Sequence, residues 1–256
     1  MTWSPNQYLA FEDDRTRPVR DLVAAIPTHQ ASFAVDIGCG PGNSTEILAN
    51  RYPHATTTGF DTSPEMVAAA QKRLPALAFE VTDVTTWTPP QPCDVMLSNA
   101  VLQWVPDHPT LFPRLASHLA PGGTLAIQMP DNMQEPVQTA MRDVAASGPW
   151  APAIAAAGGK REAMADATGY YRMLRPHCAH VDIWRTTYHH VLPGGVDAVI
   201  EWFKGSGLRP FLAPLDPQMR EAYLAEYRAT IAPLFPPMPG GAVLLPFPRL
   251  FIVATR

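Results

Sequence analysis

The stretch Val35-Asp36-Ile37-Gly38-Cys39-Gly40-Pro41-Gly42-Asn43-Ser44 decides how the chain reads. Its first residues close an apolar run, Phe33 to Ile37, with the length of a buried strand. Asn43 to Arg51 then carries a helical pattern. A glycine-rich turn between strand and helix is the setting in which backbone closes around a nucleotide. Glycines at alternate positions let the chain turn tightly and approach a ligand closely. The helix start behind them presents unpaired N–H groups to an anionic end. A dinucleotide-binding turn would read G-x-G-x-x-G. Here the third position of that pattern is Asn43, and the spacing is D-x-G-x-G-x-G.

Outward from this turn, short apolar runs alternate with helical patterns, as βαβ units of a parallel sheet do. Thr56 to Phe60 reads as a second strand. Ser63 caps the helix behind it, with Pro64 at the first helical position. Leu77 to Val81, Val95 to Ser98 and Gly123 to Met129 read as further strands. Thr110 to Leu119 reads as a helix stopped by Pro121-Gly122-Gly123. From Pro130 to about His180 strand patterns vanish, and Ala-rich helical stretches broken at Pro149 and Gly158-Gly159 suggest a helical insertion. Val181 to Val191 returns to strand alternation. Val196 to Lys204, with Ile200 and Phe203 on one face, and Gln218 to Ile231 read as helices. Val243 to Thr255 reads as a last strand, with Pro246 and Pro248 implying a bulge or an edge because proline donates no ladder bond. The expected division is a lid at 1–30, a core at 31–130, a helical cap at 131–180, and completion of the sheet at 181–256.

The composition fits a soluble globular chain. It has 256 residues, 46% of them hydrophobic and 16% charged, enough for one α/β domain with an insertion. No apolar run approaches the roughly eighteen residues of a membrane helix. The start, Met1-Thr2-Trp3-Ser4-Pro5-Asn6, lacks a signal peptide's basic and apolar segments. Three cysteines (Cys39, Cys93, Cys178) form no disulfide framework, and the expected compartment is the cytoplasm. A net charge of −4 points to neither a nucleic-acid nor a membrane partner. Arginine outnumbers lysine 16 to 3. That ratio suits bidentate binding of carboxylate or phosphate, and equally suits the codon bias of a GC-rich genome. His177-Cys178-Ala179-His180 has no second cluster to complete a metal site, so no metal is expected.

With its leading acid, the D-x-G-x-G-x-G turn resembles the first motif of the class I S-adenosylmethionine methyltransferases. Polar residues follow at consecutive strand ends: Asp61, Asp83 and Asn99. The resemblance implies S-adenosyl-L-methionine as cofactor and S-adenosyl-L-homocysteine as product. It implies that Gly38, Cys39 and Gly40 line the cofactor and that Asp61 accepts the ribose hydroxyls. Met66, Asp83 and Val84 would lie on the adenine side, with Asn99 and Gln103 at the methionine portion. Tyr8 and Arg17 would reach in from an N-terminal lid that also carries Trp3 and Phe11. Plain readings stand beside these: Met66 as core, Asp83 as a helix cap, the lid as packing on the sheet. Cys39, between glycines, reads as a small packed residue rather than a nucleophile.

Beyond the core motifs the chain resembles the trans-aconitate methyltransferases, which esterify a carboxylate of a small tricarboxylic acid. The likeness runs through Trp3-Ser4-Pro5 with Tyr8, Asp36 to Ser44, Asn99-Ala100-Val101-Leu102-Gln103-Trp104 and Gln128-Met129-Pro130-Asp131-Asn132. It continues through Val181 to Tyr188, Gly207-Leu208-Arg209-Pro210 and Phe247 to Ala254. It implies an α/β, Rossmann-like sheet of seven strands, mostly parallel with an antiparallel last strand, flanked by helices and capped by a helical insertion. It also implies a small anionic polycarboxylate partner and a monomer. Arg185, Arg209 and Arg249, with Tyr188 and Trp202 nearby in sequence, become the expected substrate clamp, as bidentate N–H···O pairs orient a carboxylate; structural ion pairing is the other reading of each arginine. No catalytic acid or base is expected, because a carboxylate with a pKa near 4 is already ionised at neutral pH. A different small acceptor would need a base such as His189 or His190, of which at most one faces a pocket. A cofactor-binding module without catalysis is the third reading.

Overall fold

The structure, a computed structural model, describes residues 12–157 and 163–256, with side chains from residue 16 onward. The expected contributions of Trp3, Tyr8 and Phe11, and the break at Gly158-Gly159, lie outside the described residues. In chain order come α1 (Glu12–Ala24), β1 (Phe33–Ile37), α2 (Asn43–Arg51), β2 (Thr56–Asp61), α3 (Pro64–Arg73), β3 (Ala78–Val81) and β4 (Cys93–Asn99). A 3₁₀ turn (Leu102–Trp104), α4 (His108–Ser117), β5 (Leu119–Pro130), α5 (Pro136–Ser147), α6 (Ala151–Ala156) and α7 (Ala167–Leu174) follow. The chain ends with β6 (His180–Leu192), α8 (Gly195–Lys204), α9 (Arg209–Leu212), α10 (Pro217–Ile231) and β7 (Val243–Thr255).

Contacts divide the chain into two compact units, one of Met1–Pro130, Glu162–Thr186 and Leu250–Arg256, the other of Asp131–Arg161 and Thr187–Arg249. The first unit is built on a seven-stranded sheet ordered β3-β2-β1-β4-β5-β7-β6. The first five strands are parallel neighbours. β7 runs against β5: the Gly122 N–H donates to the Arg256 carbonyl and the Arg256 N–H to that of Gly123, both at 3.0 Å. The strand order reverses between β1 and β4, and open α/β sheets bind ligands at the carboxyl ends of strands on either side of such a reversal. β1 is buried at all five positions, as a strand covered on both faces must be. Its start is tied to β4 by the Asp94 carboxylate, which accepts the N–H groups of Ser32 and Phe33 at 2.7 and 3.0 Å. Ser63 caps α3, its hydroxyl accepting the Met66 N–H, with Pro64 in the first turn.

One expectation is corrected, and one of two alternatives is set aside. The helix expected over Thr110 to Leu119 runs from His108 to Ser117, and Pro121-Gly122-Gly123 does not stop it but lies inside β5. There the pairing with β4 jumps from Cys93↔Leu119 to Val95↔Thr124. A side chain at Gly123 would come within 2.6 Å of the Cys93 carbonyl oxygen, so the glycine is spent on this close approach rather than on a helix end. β7 is not an edge strand despite Pro246 and Pro248, for it lies between β5 and β6. Pro248 serves the ladder as an acceptor, taking the Asp131 N–H at 2.9 Å.

The second unit holds α5, α6, α8, α9 and α10 with the last part of β6 and the first part of β7. Three buried aromatic donors from outside α5 grip that helix. The Tyr223 and Tyr227 hydroxyls donate to the Met141 and Val137 carbonyls, and Trp150 Nε1 donates to that of Val144. α8 buries Val199, Ile200, Trp202 and Phe203 on one stripe. No described helix is long and apolar enough to cross a membrane.

In the first unit Leu97, fully buried in β4, is expected to cost about 2–5 kcal/mol when replaced by alanine. In urea this appears as a lower midpoint with little change in slope; an unchanged midpoint would show that the β4 core is not packed as described.

Candidate active site

The turn after β1 rises at the reversal of strand order, and its glycines do two different jobs. Gly38 has φ +69°, and a β-carbon there would lie 2.4 Å from the Val101 Cγ2 methyl, so packing requires glycine. Gly40 has φ +53° with nothing within 4 Å of a built β-carbon. That position is open toward a ligand. The loop is held by the backbone of β2, the Cys39 N–H donating to the Phe60 carbonyl at 2.8 Å. Asp61 at the end of β2 accepts the Gly40 N–H on Oδ2 at 3.0 Å and the Ser63 N–H on Oδ1 at 2.9 Å. Its carboxylate is thus fixed beside the turn.

Behind the turn, Asp36 is wholly buried. Its Oδ2 accepts the hydroxyls of Ser44 and Thr45 from the first turn of α2, at 2.7 and 2.6 Å. Burial raises its pKa to about 6, the two hydroxyl bonds opposing the shift and Asp61 adding to it. Cys39 is buried with its thiol pushed well above the ordinary range by burial, which disfavours a thiolate nucleophile.

The turn opens onto a cleft lined by Thr16, Val19, Gly38, Cys39, Gly40, Pro41, Asn43, Ser44 and Asn99. On its β4 side, Asn99 Oδ1 is buried with no hydrogen-bond partner. The next residue, Ala100, adopts φ +59° and donates its N–H to the Gln128 carbonyl at 2.8 Å. Gln103 Nε2 donates to the Ala100 carbonyl at 2.6 Å, leaving Gln103 Oε1 buried without a partner. Two amide oxygens without donors suit an ammonium group, and the amide-rich start of α2 suits a carboxylate. Together they fit an amino-acid terminus, with Asp61 available to a sugar.

The expected cofactor residues are thus partly gathered. Gly38, Cys39, Gly40 and Asn99 line the cleft, Asp61 is bonded to the lining residue Gly40, and Gln103 is bonded to Ala100, the chain neighbour of Asn99. Asp83 is turned onto its own loop, its Oδ1 accepting the Thr85 N–H and hydroxyl at 2.7 and 2.8 Å. Val84 is buried in the main core, its carbonyl and that of Trp87 taking the Arg114 guanidinium. Met66 is buried at the start of α3. Arg17 is exposed, whereas Thr16 and Val19 of the same helix line the cleft. Tyr8 lies outside the described residues. Asn43 and Ser44 were legible as the start of the helix behind the turn; nothing in local spacing marked Thr16 or Val19.

The expected substrate residues fall in both units. Arg185, in the first, is exposed on β6. In the second, Arg209 opens α9, half-buried. Arg249 is buried with its guanidinium carbon 4.8 Å from the Phe247 ring centre. Trp202 is buried between His190 and Phe247, at centroid distances of 4.3 and 5.8 Å, and Tyr188 is buried 6.5 Å from His190. His189 is exposed and His190 buried, as neighbours on a strand should be.

Residues 34–123 match a family profile described as a methyltransferase domain. The chain is 50% identical over 256 residues to a trans-aconitate 2-methyltransferase of Methylobacterium radiotolerans, covering 99% of this chain and 98% of that one. It is 46% identical to one of Agrobacterium fabrum, with both chains covered in full. The chain belongs to the trans-aconitate 2-methyltransferase family. Among solved structures, phosphoethanolamine N-methyltransferase 2 of Haemonchus contortus, in complex with S-adenosylhomocysteine, superposes with a TM-score of 0.56 at 15% identity, over 95% of this chain and 52% of that one. The YcgJ protein of Bacillus subtilis superposes at 0.57 with 11% identity, over 95% and 98%. Both share the fold of this trans-aconitate 2-methyltransferase family member.

Gly38→Ala is expected to weaken binding of S-adenosylhomocysteine at least a hundredfold in calorimetry, since the new methyl collides with Val101; near-normal affinity would refute the role given to this turn. Asp36 gives a pH test. Its folded pKa lies above the unfolded value, so its contribution is fullest below pH 4 and is lost as pH rises through about 6. The stability of the wild type minus that of Asp36→Asn should therefore fall by about 2 kcal/mol between pH 4 and 7. A flat difference in urea titrations would contradict the burial of this carboxyl.

Proposed function

We propose that this protein transfers the methyl group of S-adenosylmethionine to a carboxylate of trans-aconitate, forming a methyl ester. Kinship over the full chain at half identity carries the reading, and the cleft supports it with donors and acceptors placed for an amino-acid terminus and a sugar. The bound cofactor supplies an electrophilic methyl on a sulfonium. The chain's residues do the rest. The turn at Gly38 and Gly40 and the start of α2 receive the cofactor's carboxylate end, while Asn99 and Gln103 offer their amide oxygens to its ammonium. Asp61 accepts the sugar hydroxyls in this reading. The substrate carboxylate is already ionised, so the enzyme's task is orientation and exclusion of water. Holding the attacking oxygen in line is a contribution of up to roughly 7–11 kcal/mol.

Arg185, Arg209 and Arg249 bind the non-reacting carboxylates in this reading, with Tyr188 and Trp202 shaping the surroundings. Asp83, Val84 and Met66 stand on the adenine side, and Tyr8 and Arg17 at the lid. The enzyme works as a cytoplasmic monomer, where its three buried thiols stay reduced.

With methyl-labelled cofactor, the protein is expected to place base-labile label on trans-aconitate. Its kcat/KM should stay level from pH 6 to 8, because no base needs to be deprotonated. A tenfold fall toward pH 6 would indicate a histidine base and another acceptor chemistry. Alanine at two or more of the three arginines should raise KM for the acid by the equivalent of about 2–5 kcal/mol, leaving S-adenosylhomocysteine affinity unchanged. Normal kinetics in all three variants would remove the clamp.

A further inference from the structure

Within the second unit, one face of β7 gathers groups that an apolar core would not keep together. Phe247 and Arg249 share that face, two residues apart on the strand, with the guanidinium stacked on the ring. The His190 and Trp202 rings stand against the same phenylalanine, each 5.8 Å from it. The Asp131 N–H bonds the Pro248 carbonyl at 2.9 Å, so the chain just past β5, with Asn132 next in sequence, is tied to β7 between Phe247 and Arg249. Asn132 is only 3% exposed, and its Oδ1 is buried without a hydrogen-bond partner. Its backbone is used, the carbonyl accepting the Glu135 N–H at 3.0 Å. The orphaned group is the side chain alone.

A buried amide oxygen without a donor is costly, and native proteins keep such groups where a ligand or water completes them. An amide also exchanges its C=O and NH₂ ends by a half-turn about its last bond, without changing shape. The position of the orphaned oxygen can therefore present two N–H donors to an anion. Its neighbourhood favours an anion: the β7 residue it follows in the pairing, Pro248, is next to the buried Arg249, whose guanidinium lies over the Phe247 ring.

We propose that Asn132 is a specificity-determining contact that, beside Arg249, donates to one non-reacting carboxylate of the substrate. This rests on the reading of the protein as a tricarboxylate methyltransferase. Arg249 supplies the charge and Asn132 the directional N–H. An acid lacking that carboxylate leaves the amide unsatisfied, and is rejected for that reason as well as for lost attraction.

The test compares kcat/KM for trans-aconitate with that for a dicarboxylate analogue lacking one non-reacting carboxylate, in the wild type, Asn132→Ala and Asn132→Asp. The wild type is expected to prefer the tricarboxylate. The preference should fall at least tenfold in Asn132→Ala and further in Asn132→Asp, whose carboxylate repels the substrate's. The loss should appear in KM, with S-adenosylhomocysteine affinity by calorimetry unchanged. A preference kept within twofold of wild type in Asn132→Ala overturns the proposal, and that variant decides alone if Asn132→Asp does not fold. A wild type that methylates neither acid overturns the functional reading itself, a result distinct from an active wild type whose variants discriminate normally.

Discussion

The carboxylate of Asp36 is held out of water at the end of β1 by two hydroxyls from the helix that follows. That clasp closes the strand, the glycine turn and the start of α2 into one unit, and the rest of the site is arranged around it. With α2 drawn against β1, the turn between them has no slack. Gly38 must lie against Val101 and Gly40 must face outward. The cost of the clasp is visible in the raised pKa of the buried acid. A folding unit without a ligand to position would have little reason to keep a charge there.

The site around that clasp is built from strand ends, each held by bonds from its neighbour. Asp61 ties β2 to the turn through the Gly40 N–H. β5 supplies the Gln128 carbonyl that fixes the left-handed Ala100 after β4. The loop after β4 is further folded onto itself by Gln103, and the His108 ring bridges the Leu102 carbonyl and the Tyr170 hydroxyl at 2.9 and 2.8 Å. A polar side chain at the carboxyl end of a parallel strand thus inherits the precision of the sheet. The second unit works differently. Its helix α5 is held by three aromatic donors rather than by a ladder, and its polar groups lie against rings, where weak solvation makes a matched charge strong and an unmatched one expensive.

Much of this was legible in local pattern because local physics produced it. A five-residue apolar run, an acid, alternating glycines and a helical stretch specify strand, turn and helix without help from elsewhere, as Ser63-Pro64 specifies the start of α3. Pro121-Gly122-Gly123 shows where that logic stops. By local rules it ends a helix; in the fold it lets β5 pass within contact of the Cys93 carbonyl, and only the β4 partner dictates this use. The prolines of β7 likewise suggest a bulge or an edge, yet Pro248 holds an interior place by accepting the Asp131 N–H. Thr16 carried no local signal, and Asn132 was legible only as the end of the family-like stretch Gln128 to Asn132, not as a buried amide without a partner.

The sequence by itself determined the order of strands and helices, the position of the ligand turn and the polar residue at each strand end, since these follow from periodicity, backbone freedom and capping over a few neighbouring residues. Only the tertiary structure decided which carbonyl each donor meets, which helix of the first unit lines the cleft, and which buried amide is left without a partner. Those outcomes depend on residues far apart in the chain approaching one another, and no local spacing encodes such a meeting.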